Sequence, residues 1–166
     1  GGLNLFFDKN PNVRDYVTLL GALLTFYFSA NIFLEFDGQA TQYSLITIMP
    51  GIDISFHIEP LGIIFSMLAS GLWILTHIYA IGYMRGAKEK NQSRFFFFFS
   101  VSIASVMGIS FSGNLFTLFL FYELLTLITF PLVSHKGSSE ALRGARVYLS
   151  ILLGTSIGFQ LLGIIW

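Results

Sequence analysis

Glu123 is the residue of this chain best suited to chemistry. It stands within residues 115–134, an apolar run with no other charged side chain. Carrying a carboxyl into the middle of such a span costs roughly 2.5–3.5 kcal/mol on insertion scales, and such residues face a protein interior or a water-filled path. Apolar surroundings favour a protonated carboxyl, whereas a nearby cation favours an ionised one. A carboxyl whose cation moves closer or farther can therefore load and release protons. The plainer alternative is a permanently protonated Glu123 bonded to a neighbouring helix as structural glue. Residue type and depth favour the carrier.

Tyr122, Thr126 and Thr129 surround Glu123 and are candidates for a polar lining. Thr126 is three residues on and shares its helix face. Pro131 has no N–H to give and is able to kink the helix. Taken alone, these residues read as ordinary threonine back-bonding and a helix-end proline. His77 lies in another apolar stretch, about two turns from its end. An imidazole there could relay protons, though a hydrogen-bonded structural role is the favoured reading. Arg143 and Arg146 are one turn apart before the last apolar stretch. Interfacial snorkelling explains both. As a cation at the mouth of a proton path, Arg146 is the better placed, being deeper.

Composition sets the class. The 166 residues are 54% hydrophobic and 11% charged, and mean hydropathy is +0.73. A soluble domain carries about 25% charged residues. The chain therefore reads as an all-α polytopic membrane protein. With 9 basic and 9 acidic residues, net charge does not point to a partner, and no nucleic acid is expected. The absence of cysteine excludes disulfides, thiol catalysis and Cys-ligated metals. The histidines, His57, His77 and His135, are too scattered to suggest a metal site, and no cofactor is expected.

A spanning helix needs about 20 mostly apolar residues. Five stretches qualify, at about 16–36, 61–84, 95–111, 115–134 and 147–166. Asn114 is a candidate N-cap for the fourth. Between the first two stretches, Ile52-Asp53-Ile54-Ser55-Phe56-His57-Ile58-Glu59 alternates apolar and polar residues. That period predicts a β-hairpin at about 43–59, outside the bilayer and packed on helix ends. The phenylalanines at 95–99 read as lipid contact and anchoring. The pairs Gly154…Gly158 and Ala104…Gly108 read as close helix packing.

Basic residues fall in three regions. Lys9 and Arg14 precede the first span. Arg85, Lys88, Lys90 and Arg94 separate the second and third. Lys136, Arg143 and Arg146 separate the fourth and fifth. An alternating five-helix path puts all three on one side, which the positive-inside rule makes the cytoplasm or matrix. Glu123 then lies about 12 Å into a helix entered from the other side, near the middle of a core about 30 Å thick.

The segment Phe121-Tyr122-Glu123-Leu124-Leu125-Thr126-Leu127-Ile128-Thr129-Phe130-Pro131-Leu132-Val133 continues to His135-Lys136-Gly137 and Ala141-Leu142-Arg143-Gly144-Ala145-Arg146-Val147-Tyr148-Leu149. It resembles the proton-conducting antiporter-like membrane subunits. These include the D and A subunits of Mrp-type monovalent cation/proton antiporters, and the large membrane subunits of respiratory complex I and membrane-bound hydrogenases. The Pro-Leu-Val-Ser-His-Lys-Gly continuation resembles the D-type branch most. His57-Ile58-Glu59-Pro60-Leu61-Gly62 is similar to the family's hairpin-to-helix junction. The resemblance implies that the five spans correspond to family helices two to six. Glu123 would occupy the position of the family's essential glutamate, and Arg146 that of a basic residue opening the sixth helix. The glutamate's lysine partner would lie beyond Trp166.

The chain opens Gly1-Gly2 and closes at Trp166 in an apolar stretch. It is expected to be one membrane domain, a fragment of a larger subunit. The expected function is proton or monovalent cation translocation with Glu123, Arg146 and His77 in proton transfer. Expected partners are the bilayer, other membrane subunits, protons and Na+. The expected location is the bacterial inner membrane, ahead of the mitochondrial one. The alternative is a non-conducting structural subunit in a complex I-like or hydrogenase-like assembly. The chain would supply no redox chemistry of its own there.

Overall fold

A computed structural model describes residues 10–49, 52–135 and 138–165 of the chain. Lys9, Pro50, Gly51, Lys136 and Trp166 lie outside those residues. In order come α1 (Pro11–Glu35), β1 (Thr41–Met49), β2 (Ile52–Ile58), α2 (Pro60–Gly86), α3 (Gln92–Ser110), α4 (Leu115–Val133) and α5 (Ser139–Thr155). A π-helical turn, Ser156–Leu161, carries α5 into a short α6 (Leu162–Ile165). Among the described residues, five helical segments are long and apolar enough to cross a membrane, the last running from Ser139 to Ile164. Together with one two-stranded hairpin they make up the expected fold class.

The outer two spans begin earlier than hydropathy implies. α1 starts at Pro11, whose fixed φ and missing N–H suit a first helical position. Arg14 thus lies inside the first helix rather than before it, and so does Asp15. α5 starts at Ser139, where the Ser138 side chain accepts from the Ala141 N–H at 3.1 Å. Arg143 and Arg146 are therefore inside α5.

Contacts at the two ends establish an up-and-down path. Arg14 of α1, Arg85 of α2 and Gln92 of α3 meet at one end through side-chain hydrogen bonds. His135, just past α4, meets Phe95 of α3 with ring centroids 5.4 Å apart. The hairpin and the α3–α4 connection meet at the other end. α1 packs on α2, α2 on α3, α3 on α4 and α4 on α5. Gly62 and Gly108 permit two of these approaches. A Cβ on Gly62 would run into the backbone carbonyl of Ser110, and one on Gly108 into the ring of Phe121. Of the small-residue pair Ala104…Gly108, Gly108 is thus a packing device, whereas Ala104 is exposed. Within the bundle, Ser66, Ser70 and Ser105 are buried, and each hydroxyl donates to a carbonyl of its own helix.

The hairpin docks by its polar side. β1 and β2 pair antiparallel from Thr41↔Ile58 to Met49↔Ile52, with irregularities between Ser44 and Ile46 and between Thr47 and Met49. Ser55 is the buried residue of β2. The free edge of β2 meets the α3–α4 connection in an isolated antiparallel bridge, Phe56↔Ser112: the His57 N–H donates to Phe111 O and the Gly113 N–H to Ser55 O, both at 2.8 Å. Asn114 completes the joint. Its side-chain oxygen caps α4 by accepting from the Thr117 N–H at 2.7 Å. Its amide donates to Asp53 O and Ser55 Oγ, both at 2.8 Å. Thr117 Oγ1 in turn accepts from the Ser55 N–H at 3.0 Å.

Asn114→Ala removes a helix cap and the clamp on β2 together. It is expected to destabilise the protein by about 1–3 kcal/mol. Thermal unfolding in lipid nanodiscs measures this, and a wild-type midpoint would contradict the assignment of Asn114 as the joint.

Candidate functional site

Two carboxyl groups enter the bundle, and they meet their surroundings in opposite ways. Glu123 is on α4 and half-buried. Its Oε1 is shielded from solvent and has no hydrogen-bond partner among the described residues. No described basic side chain pairs with it. The flanking residues of α4 supply the local polarity. Thr126 is buried, Tyr122 and Thr129 are half-buried, and Thr129 Oγ1 donates to Thr126 O at 2.8 Å. That bond is local back-bonding, so the Thr129 hydroxyl proton is committed to its own helix. α4 continues past Pro131 to Val133. Arg143 and Arg146 are exposed on α5, and neither bonds to Glu123. The structure therefore does not bring Arg146 and Glu123 together.

Asp15, on α1, is only 5% exposed and fully paired. Arg14 Nε donates to its Oδ1 at 2.8 Å, and Arg85 Nε donates to its Oδ2 at 2.7 Å. Arg14 is 3% exposed, donates through Nη2 to Gln92 Oε1 at 2.9 Å, and sits over the Phe96 ring, 5.1 Å from its centroid. Arg85 also donates to Asn12 Oδ1 at 2.9 Å. Gln92 anchors the turn between α2 and α3 by donating to Met84 O and Glu89 O. One carboxylate thereby ties α1 and α2, and through Arg14 also α3. Breaking such a buried pair from one side costs about 3–5 kcal/mol, because a charge is left stranded.

His77 lies one layer deeper and is 0% exposed. Its Nε2 is 2.7 Å from Thr18 Oγ1, which is 3.1 Å from Asp15 O. Trp73, Phe96 and Phe99 surround the ring at centroid distances of 5.7, 5.2 and 5.8 Å. The structural anchor expected for His77 is therefore present, in Thr18. The phenylalanine run is more than lipid contact: Phe96 is fully buried and touches both Arg14 and His77.

Sequence reasoning missed Asp15, Thr18 and Arg85 as site residues. Asn10-Pro11 was the available signal, since a cap-type residue followed by proline marks a helix start. A helix from Pro11 puts Arg14 and Thr18 on one face, one turn apart. Among the described residues, no cluster of three His, Asp or Glu side chains could hold a metal ion.

Comparison with known proteins points to one set of membrane subunits. The sequence profile described as NADH-Ubiquinone oxidoreductase (complex I), chain 5 N-terminus, matches residues 46–96. An antiporter subunit, mnhA2, of Staphylococcus haemolyticus is 29% identical over 98% of this chain and 21% of its own length. Na(+)/H(+) antiporter subunit A1 of the same species is 29% identical over 95% of this chain and 19% of its own. Its Staphylococcus aureus counterpart is 30% identical over the same shares, 95% and 19%. The chain spans about a fifth of the length of the curated relatives it matches. These relatives are A-type subunits, which corrects the D-type branch expected from the sequence. The correction fits where the evidence of type lay: the seven residues of the Pro-Leu-Val-Ser-His-Lys-Gly stretch are a small part of an alignment that runs over nearly the whole chain.

Asp15→Asn is expected to destabilise the protein by about 3–5 kcal/mol, whereas the triple change Arg14→Met, Asp15→Leu, Arg85→Met costs far less. Thermal unfolding of both variants decides it; an Asp15→Asn protein as stable as wild type would contradict the pairing.

Proposed function

We propose that the chain is part of a proton or monovalent cation translocating membrane subunit in which Glu123 is the intramembrane proton carrier. One observation carries the reading. Glu123 alone among the described carboxyl groups combines mid-span placement with a shielded oxygen that has no partner. A carboxyl committed to structure would be bonded, as Asp15 is. One left unbonded in an apolar helix is free to take a proton and to give it up when a cation approaches. The relatives' names, Na(+)/H(+) antiporter subunits, support the same chemistry.

Three further residues have supporting roles in this reading. Thr126 gives Glu123 a polar neighbour on its own face. Arg146, exposed on the second turn of α5 at the basic end, is a cation at the mouth of the path. His77 is a second proton-transfer group. The cation that switches Glu123 is supplied from outside the described residues. The chain is then one membrane domain of a larger subunit, corresponding to family helices two to six. It works with other membrane subunits in a bacterial inner membrane and moves protons and Na+.

A second reading has its own support in the complex I chain 5 match, which covers the hairpin and α2. There the same helices belong to a membrane arm coupled to a redox enzyme. Glu123 keeps its role if that arm conducts, and has none if the arm is only structural.

In the complete antiporter complex reconstituted in vesicles, Glu123→Gln is expected to reduce cation-driven proton movement by at least about a hundredfold, the scale of a lost acid–base group. Glu123→Asp is expected to keep part of it. Transport at the wild-type rate in Glu123→Gln would overturn the proposal.

A further inference from the structure

The α1–α2–α3 junction holds polar atoms that the chemistry of Glu123 does not use. Thr18 has one hydroxyl proton. Its oxygen lies 3.1 Å from the Asp15 carbonyl, which only accepts, and 2.7 Å from His77 Nε2. With that proton given to the carbonyl, Nε2 must carry the ring hydrogen and donate it to Thr18. The neutral ring then presents Nδ1 as an acceptor. Nδ1 is buried without a hydrogen-bond partner among the described residues. The same is true of Trp73 Nε1, which can only donate. Trp73 is one turn away on the same face of α2, its ring edge-on to the imidazole at 5.7 Å. A donor and an acceptor, both closed off from solvent on adjacent side chains, match the two sides of a water molecule. Its oxygen accepts from the indole and one of its hydrogens goes to Nδ1.

We propose that Thr18, Trp73 and His77 form a water-holding proton-exchange site inside the α1–α2–α3 junction, with the Arg14–Asp15–Arg85 cluster as its charged mouth on the basic side. Its role in transport rests on the translocation reading above. The step balances simply. Uptake adds one proton from outside the site: the bridging water passes a proton to Nδ1 as it receives one in turn, so it stays neutral, and the ring becomes an imidazolium whose Nε2–H still holds Thr18. Release reverses it. The charge acting on the ring is that of Asp15 on α1, which is paired in turn with Arg14 of α1 and Arg85 of α2; α3 presents the Phe96 and Phe99 rings. Asp15 divides its charge between the two arginines. Arg85 is 44% exposed, so it is the partner able to leave. Its departure leaves more of the Asp15 charge to the imidazolium and couples an event at the basic face to the ring.

Nitrogen NMR of isotope-labelled histidine in the complete subunit, held in its complex in lipid, tests the site. His77→Gln assigns the signal. The expected spectrum is the Nε2–H tautomer, with Nδ1 taking a proton on acidification. Trp73→Phe, which keeps a ring and removes the N–H, shifts the Nδ1 resonance. Thr18→Val slows proton transport about tenfold, the loss of one good hydrogen bond, and Thr18→Ser restores most of it. An Nδ1–H tautomer, an Nδ1 resonance unmoved by Trp73→Phe, or full transport in Thr18→Val each overturns the site. The two proposals fail separately. Full transport in Glu123→Gln sinks the carrier reading and leaves the predicted His77 spectrum standing, whereas an unmoved Nδ1 resonance sinks this site and leaves Glu123 as carrier.

Discussion

A carboxyl group inside an apolar bundle has to be paired, hydrated or protonated, because an isolated charge there is far too costly. The arrangement of this protein follows from how two carboxyls among its described helices, buried Asp15 and half-buried Glu123, meet that demand. Asp15 meets it by pairing. Arg14 comes from the same turn of α1 and Arg85 from the end of α2, and Gln92 extends the cluster to α3. The three helix ends that need neutralising partners therefore share them. Glu123 does not pair within the described residues, and the rest of the fold holds it in that condition.

The opposite end is fixed by hydrogen bonds. Asn114 uses its oxygen to cap α4 and its amide to hold β2, so one side chain sets both the start of the helix that bears Glu123 and the seat of the hairpin. The hairpin docks through hydrogen bonds accepted by Asp53 and donated by the backbone of Ser55 and His57, which suits a region where apolar burial is incomplete. Between the two ends, Gly108 lets Phe121 lie directly against α3, two residues before Glu123. Small residues let the helices approach closely, and back-bonding satisfies the buried hydroxyls of Ser66, Ser70 and Ser105. α4 is thus positioned by its cap and by steric contact, while Glu123 Oε1 has no bond among the described residues.

Hydropathy and charge were sufficient for the five spans, the hairpin, the alternating path and the cap at Asn114, because each is a local or periodic property. Asn114 is legible from its place before an apolar run, and Glu123 from its isolation within one. The Asp15 cluster was hidden because its partners are about 70 residues apart, and charged residues near a helix start look like topology signals. The polar docking of β2 was hidden for a similar reason. Alternation identifies the strand, but the choice of buried face depends on Asn114 and Gly113, which are distant from it in sequence. The π-helical turn at Ser156–Leu161 has no sequence mark that separates it from ordinary helix. A short motif pointed to the wrong antiporter branch, where alignment over nearly the whole chain points to A-type subunits.

The contrast between a committed and an uncommitted carboxyl is open to direct observation. Infrared difference spectroscopy of the reconstituted complex, taken between acidic and alkaline states, reads the carbonyl stretch of protonated carboxyl groups. The account predicts a band that rises on acidification, disappears in Glu123→Gln and persists when Asp15 is replaced. A spectrum in which no such band depends on Glu123 would contradict it.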